Sequence, residues 1–447
     1  LSENEDILIK KSLKYSVLDG FFYSIKLGFG ESFFLAYLTF FKASNIELGL
    51  AGSLPQALGS LSQLFSGFFL KVFKSRKITV CINVLFENLM FIPMILTFFM
   101  GNFKAVYFII FLSLYWIFGM ILGPSWSSWM GDLVHENMKG KYFGARNRLN
   151  GFAAFFSFVI AGLILYFFNN TDNQYIGYVI IFIIAFISRF ISLIFLTKKY
   201  EPKYQYKIES RLNIKDFISN AKITNFGILS LYICLMNFSV MMSSSFFTPY
   251  MLKDLKFSYL IYTIVLASSM VFKNIFMPLW GRIIDKYGTK IILSITGFLL
   301  PIIPVLWLLS DKVIFIILFQ IYSGIVWAGF ELSSFNFIFD ATTSKNRINC
   351  ISVHNIFNGL SILLGGIIGG LIVKFNDIFW SKYLFIFLVS GILRLIVSII
   401  FVPRLKEVRE VEKISYKDLF LRIISTMVTK GVIYNPILFR KRNKHKL

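Results

Sequence analysis

Residues 131–151 read GDLVHENMKGKYFGARNRLNG, and residues 339–359 read FDATTSKNRINCISVHNIFNG. The two align without a gap, pairing Asp132 with Asp340, Lys139 with Arg347, Asn147 with Asn355, Asn150 with Asn358 and Gly151 with Gly359. Working outward, SFFLAYL at 32–38 answers SFFTPYM at 245–251, Gly162 answers Gly370, and Arg189 answers Arg394. A shared order and a nearly constant offset make the chain two parallel copies of one unit.

Composition decides what that unit is made of. The 447 residues are 56% hydrophobic and 15% charged, with a mean hydropathy of +0.70. A soluble chain carries about 25% charged residues, so a polytopic membrane protein is the class that remains. Crossing a hydrocarbon core of about 30 Å takes about 20 helical residues. Apolar runs of that order fall at 16–41, 46–70, 78–100, 104–130, 144–168, 175–197, 225–251, 258–281, 289–309, 313–338, 351–374 and 382–403. The expected fold is an all-α membrane protein, twelve transmembrane helices in two pseudo-symmetric six-helix bundles.

The net charge of +23 lies in short clusters between the runs, which argues for topology and against a nucleic-acid partner. With the N-terminus inside, 35 of the 46 Lys and Arg fall on the cytoplasmic side and seven on the other. The layout expected is a cytoplasmic N-terminus (1–15), an N-terminal half (16–197), a cytoplasmic linker (198–224), a C-terminal half (225–403) and a basic cytoplasmic tail (404–447). That places a multi-pass monomer in the cell membrane, with both termini cytoplasmic and lipids around it. The first span reads as its own signal anchor. The tail reads equally as an interfacial helix or a solvated segment. Cys81, Cys234 and Cys350 have no metal-ligand spacing and imply no disulfide framework, so no metal and no cofactor are expected.

The loop after the eighth run reads GRIIDKYGTK, residues 281–290. Gly281 would let a helix end approach a neighbour, Gly288 would allow positive φ, and Asp285 would meet a helix N-terminus or an arginine. The loop resembles the G-x-x-x-D-[RK]-x-G-[RK]-[RK] signature of the major facilitator superfamily. Twelve spans, parallel halves and a basic central loop fit the resemblance over nearly the whole chain. The first-half version, GFFLKVFKSRK at 67–77, keeps Gly67 but has Lys71 where the aspartate belongs. Span 5 lacks the Gly-Pro signature of many proton-linked antiporters, and the sugar-porter signatures are missing too. The subfamily therefore stays open. The resemblance implies a solute cavity near the midplane lined by spans 1, 4, 7 and 10, with access alternating between the two sides. It also implies gating loops built from Gly281, Arg282, Asp285, Lys286, Gly288 and Lys290, with Gly67, Asp132, Arg146, Asp340 and Arg347 at related positions.

Charges inside the spans are the candidate working residues. An intramembrane charge costs about 2.5–3.5 kcal/mol on insertion scales, and residues 16–41 carry Asp19, Lys26 and Glu31. Asp19 and Lys26, seven apart, share a helix face, while Glu31 falls about 140° round from Lys26. Asp19 reads equally as an interfacial residue. Lys26 is too far from the inner end to snorkel and is expected in the cavity. Glu31 reads as an outer-gate residue or a binding group. Glu331 and Asn336 in span 10, Lys273 and Asn274 in span 8, and Glu87 and Asn88 in span 3 complete the set. Lys26 is expected to face Glu331, with Lys273 as the alternative partner of that carboxylate. Arg189 and Arg394, in peripheral spans, are expected to be structural. Tyr115, Trp116 and Trp327 could line a cavity, although packing is the commoner use of such residues.

His135 and His354 fall at span ends and His445 in the tail, so no histidine is placed for a proton relay. Proton coupling would then fall to Glu331, Glu31, Glu87 or Asp19, in that order; sodium is the other coupling ion expected. The function these residues imply is a secondary active transporter of a small solute. The alternatives are a non-transporting sensor of the same fold or a lipid or drug exporter. An intramembrane enzyme would need a nucleophile or metal site that the spans do not offer.

Overall fold

The computed structural model describes residues 3–134, 139–169, 173–202, 223–342, 347–376 and 381–412. Most of the expected linker, most of the tail, and His135 and His445 lie outside the described residues, as does the side chain of Arg347. Among the described residues twelve main helices follow one another. In the first half they are α1 (Glu3–Phe29), α2 (Asn45–Ser62), α3 (Arg76–Leu89), α4 (Lys104–Leu133), α5 (Lys139–Phe168) and α6 (Gln174–Thr197). In the second they are α7 (Asn225–Pro249), α8 (Tyr259–Tyr287), α9 (Thr289–Leu299), α10 (Val313–Asp340), α11 (Arg347–Phe375) and α12 (Lys382–Phe401). Among the described residues ten helical stretches are long and apolar enough to cross a membrane. The charge-bearing α1 and the Gly- and Ser-rich α2 complete the twelve. The end of the bundle where α1 begins is called here the terminal face, and the opposite end the distal face.

Several expected boundaries move for local reasons. No break separates a 1–15 segment from span 1, because α1 is continuous from Glu3. Span 1 breaks instead after Phe29, between Gly28 and Gly30, and continues as a 3-10 turn (Glu31–Phe33) and a short helix (Phe34–Phe40). Two glycines around one residue leave the helix little to hold it. Spans 3 and 9 break near Pro93 and Pro301, resuming as Phe91–Leu96 and Ile302–Leu306.

The two halves share one apolar core, and it lies at the distal face. It joins Phe33, Tyr37, Phe158 and Tyr178 of the first half to Phe246, Tyr250, Tyr259 and Tyr262 of the second. Phe33 stacks on Phe158 at 5.2 Å between ring centroids and meets Tyr262 at 6.2 Å. The hydroxyls of Tyr178 and Tyr259 are 2.6 Å apart, and Lys253 Nζ donates to the Ala43 carbonyl at 3.1 Å. Along the seam between α2 and α11, a Cβ on Gly49 would stand 2.6 Å from the Gly366 carbonyl oxygen. Only glycine lets these backbones approach so closely. Toward the terminal face each half keeps its own core, Val80, Val84 and Trp129 in the first, Leu229, Tyr232, Leu293 and Phe337 in the second.

The terminal ends are tied within each half by matching carboxylates. Glu201, just beyond α6, accepts from the Arg76 backbone N–H at 2.7 Å, and Arg76 pairs with Asp132 at 2.5 Å. Glu407, just beyond α12, accepts from the Lys290 backbone N–H at 2.8 Å, while Asp340 pairs with Arg409 at 3.0 Å. Both glutamates sit where a helix N-terminus favours negative charge. Gly288 has φ +92°, and a Cβ there would meet Glu407 Oε2 at 2.2 Å, so this signature glycine is required. Gly281 and Gly67 are not required for close approach: the nearest atom to a Cβ on Gly281 is 3.6 Å away, and Gly67 has nothing within 4 Å.

Candidate functional site

Helices α1, α3, α4 and α6 converge on one buried charge cluster. Lys26 is fully buried, and its ammonium donates to Glu31 Oε1 at 2.8 Å, to Glu87 Oε1 at 2.9 Å and to the Tyr115 hydroxyl. Its three donors are thereby all used. Glu87 takes two more bonds on Oε2, from Arg189 Nε at 3.0 Å and Nη2 at 2.5 Å. Arg189 also donates to Ser192, whose hydroxyl in turn donates to Asp19 Oδ1 at 2.8 Å. Asp19 Oδ2 lies 3.7 Å from Arg146 Nη2. Three carboxylates thus face three cations, an arrangement that offsets the cost of burying each.

A cavity of about 630 Å³ opens beside this cluster, walled entirely by first-half residues that include Asp19, Glu31, Glu87, Trp116, Arg146 and Arg189. A Cβ on Gly20 would come 2.6 Å from Arg146 Nη2 and 2.8 Å from Asn150 Nδ2, so this glycine makes room for both. Gly20→Val should therefore displace Arg146 from Asp19. The expected result is at least about a tenfold loss of transport with the distal core intact, read as flux alongside near-UV circular dichroism.

The expected positions fare unevenly. Glu31 does not lie off the Lys26 face: the 3-10 turn that follows the break at Gly30 folds it back onto the ammonium, which an ideal helix could not do. Lys26 does not meet Glu331. It sits behind Glu31, Glu87 and Tyr115, and Glu331 pairs instead with Lys273 at 2.6 Å. That second pair is partly exposed, and the Asp132–Asp340 alignment sets Glu331 opposite Gly123, a cavity-wall residue. Asn336 is half-buried on α10. Arg189 is a wall residue bonded to Glu87, not only a structural charge. Trp116 lines the cavity, whereas Trp327 packs edge-on against Phe330 in the second-half core. Asp285 is exposed and makes no ion pair among the described residues. Tyr23 and Trp126 are wall residues not singled out from the sequence above, and Asn150, legible there only as a repeat position, is a wall residue too. Tyr23 stands four residues after Asp19 and three before Lys26, so the helix face itself signalled it.

Arg394 breaks the symmetry. It is fully buried, and its described partners are neutral: Ser390 Oγ at 3.1 Å, Ser243 Oγ at 2.9 Å and the Leu300 carbonyl at 3.3 Å. Aligning Pro93 with Pro304 puts Phe298 where the first half has Glu87. Removing an unpaired buried charge removes its desolvation cost with it. Arg394→Met is therefore expected to cost less than its three hydrogen bonds at about 1 kcal/mol each, because the desolvation relieved offsets them, while Arg189→Met, which strands Glu87, is expected to cost about 3–5 kcal/mol. Thermal unfolding of the two variants checks this.

Beyond the end of α6, Lys199 is buried against Met130 Sδ at 3.1 Å and the Trp129 ring at 4.3 Å. Burial pushes its pKa down to about 8 from 10.5. Between those values the unfolded chain holds a proton that the folded one lacks, so stability should rise with pH across that window. Unfolding followed from pH 8 to 10.5 should show this rise in the wild type and lose it in Lys199→Met.

The major facilitator superfamily model matches residues 20–272 and 229–439, and the chain belongs to that superfamily. A comparison with curated proteins gives no sequence match. Among solved structures, the chain is similar to an aspartate-to-alanine mutant of the nucleoside transporter NupG, with 15% identity, TM-score 0.66, and 89% of this chain and 100% of that one covered. It is also similar to a D-xylose–proton symporter, with 14% identity, TM-score 0.66, and 92% and 100% covered. The inward-open xylose transporter XylE from E. coli gives 14% identity, TM-score 0.64, and 93% and 99% covered. At these identities the likeness is one of fold.

Proposed function

We propose that the protein is a secondary active transporter that carries a small solute across the cell membrane by alternating access, with a proton or sodium as the coupling ion. The observation that supports this is the asymmetry of the two faces. One aromatic core seals both halves at the distal face, while a charged cavity lies on the terminal side of that seal. A channel needs no such one-sided seal, but a carrier caught in one of two states has one. The distribution of Lys and Arg supports a cytoplasmic terminal face, and on that reading the state is inward-facing. Similarity to a nucleoside transporter and a xylose–proton symporter fits this reading. Asp285, exposed here, is the residue proposed to bridge the halves when the terminal face closes.

Single cysteines at Asn102 and Asp311 should react with an impermeant reagent added outside intact cells, and one at Lys74 should react only after permeabilisation. External labelling at Lys74 would reverse the assignment. Flux of a solute found by ligand screening, measured in proteoliposomes with and without an ion gradient, tests transport itself.

A further inference from the structure

The geometry points to a protonated amine on an apolar or ring-bearing body as the solute class, taken up at Glu31; this assignment rests on the transporter reading above. It follows from counting which hydrogen-bonding groups in the wall are already used. The Lys26 ammonium has spent all three donors on Glu31, Glu87 and Tyr115. Arg189 is committed to Glu87 and Ser192, and Arg146 donates Nε to the Ser16 carbonyl at 3.0 Å with Nη2 turned to Asp19. Taking the Lys26 ammonium or the Arg189 guanidinium for an anionic solute would strand the buried Glu87, whereas Arg146 keeps donors to spare but stands 3.7 Å from the Asp19 carboxylate, which repels an anion there.

The acceptors are in the opposite condition. Glu31 uses only Oε1, for Lys26 and Tyr115, and its second oxygen takes no hydrogen bond among the described residues. Its side chain is 23% exposed, whereas those of Lys26, Glu87 and Arg189 are 0–4% exposed. The wall oxygen Asn150 Oδ1 also lacks a hydrogen-bond partner. Around these acceptors stand Tyr23, Tyr115, Trp116 and Trp126, ring faces that attract a cation and accept an apolar body. The same corner already holds one ammonium this way: Lys26 Nζ lies 4.5 Å from the Tyr23 ring centroid and 4.9 Å from that of Tyr115.

Glu31 also opens the seal-forming turn, two residues before Phe33 at the heart of the distal core. A cation drawn to its free oxygen competes with Lys26 for the carboxylate and pulls on that turn. Occupancy of the cavity and the state of the seal are thereby joined through one residue.

The test is a matched series on the full-length purified protein: 2-phenylethylammonium, 2-phenylethanol and 3-phenylpropionate, read by thermal stabilisation and by equilibrium binding. The ammonium should bind at least about tenfold more tightly than the alcohol or the carboxylate. Glu31→Gln should remove that preference and Glu31→Asp should keep part of it, while the exposed Glu410→Gln serves as a control that keeps all of it. Equal or tighter binding of the carboxylate, an undiminished preference in Glu31→Gln, or no stabilisation by primary, secondary and quaternary ammonium ions up to millimolar concentration would each overturn the assignment. Because binding in detergent does not require transport, these outcomes stand apart from the flux measurement that tests the transporter reading.

Discussion

Glu87→Gln is expected to destabilise the protein by about 3–5 kcal/mol, the loss associated with breaking a buried ion pair by removing one partner. Among the described residues Glu87 is the single carboxylate that both Lys26 and Arg189 touch, and all three are almost wholly buried. Glutamine keeps the shape and one acceptor but removes the negative charge, leaving two cations in a low-dielectric site with Glu31 as the nearer compensation for only one of them. Adding Arg189→Met should recover most of the loss, because Lys26 would then retain Glu31 and Tyr115. Unfolding free energies of the single and double variants in the same detergent provide the check. A double variant no more stable than Glu87→Gln would mean that Arg189 is not the charge left stranded.

Gly366→Val is expected to abolish transport while leaving a folded protein. A Cβ at residue 366 would stand 2.1 Å from Ser53 Oγ and 2.7 Å from the Gly49 carbonyl oxygen. The serine hydroxyl can rotate away, but Ser53 Cβ, 2.3 Å from the added carbon, and the Gly49 carbonyl cannot yield without moving α2 off α11. Those two helices come from different halves and run side by side from Asn45 and Gly370 to Gln63 and Asn355, so bulk placed in the distal part of the seam should hold the distal seal open. A cysteine at Ser245, buried in the wild-type seal, should react with an external reagent at least about tenfold faster in the Gly366→Val background, if closure is the dominant protection. Unchanged reactivity together with normal flux would show that the seam yields without opening the seal.

How much of this was legible in the sequence depends on the range of the interactions involved. Fold class and repeat are recorded in long apolar runs and in paired positions such as Asp132 and Asp340, so they read directly. The site reads as a set of residues rather than as contacts. Asp19, Lys26, Glu31 and Glu87 stand out because charge in lipid needs a reason. Their pairing does not, because it depends on the break after Phe29 that rotates Glu31 back onto Lys26. Charge sign likewise admitted a Lys26–Glu331 pair, but each residue finds a partner within its own half. Gly20 was silent for a related reason: a glycine's role lies in the neighbour it admits, here Arg146, more than a hundred residues away in the chain, and the Gly365, Gly366, Gly369 and Gly370 face read as suited to close packing without naming α2 as its partner.

The central claim is that the distal seal and the terminal cavity exchange. Spin labels at Phe40 and Leu252 report the distal face, and labels at Ser127 on α4 and Phe335 on α10 report the separation of the halves on the terminal side. In lipid nanodiscs the account predicts two populations whose weights change in opposite senses at the two sites: a short distal distance accompanies a long terminal one, and Gly366→Val reverses the majority. A single distance at each pair, unmoved by solute, by pH and by Gly366→Val, would contradict it.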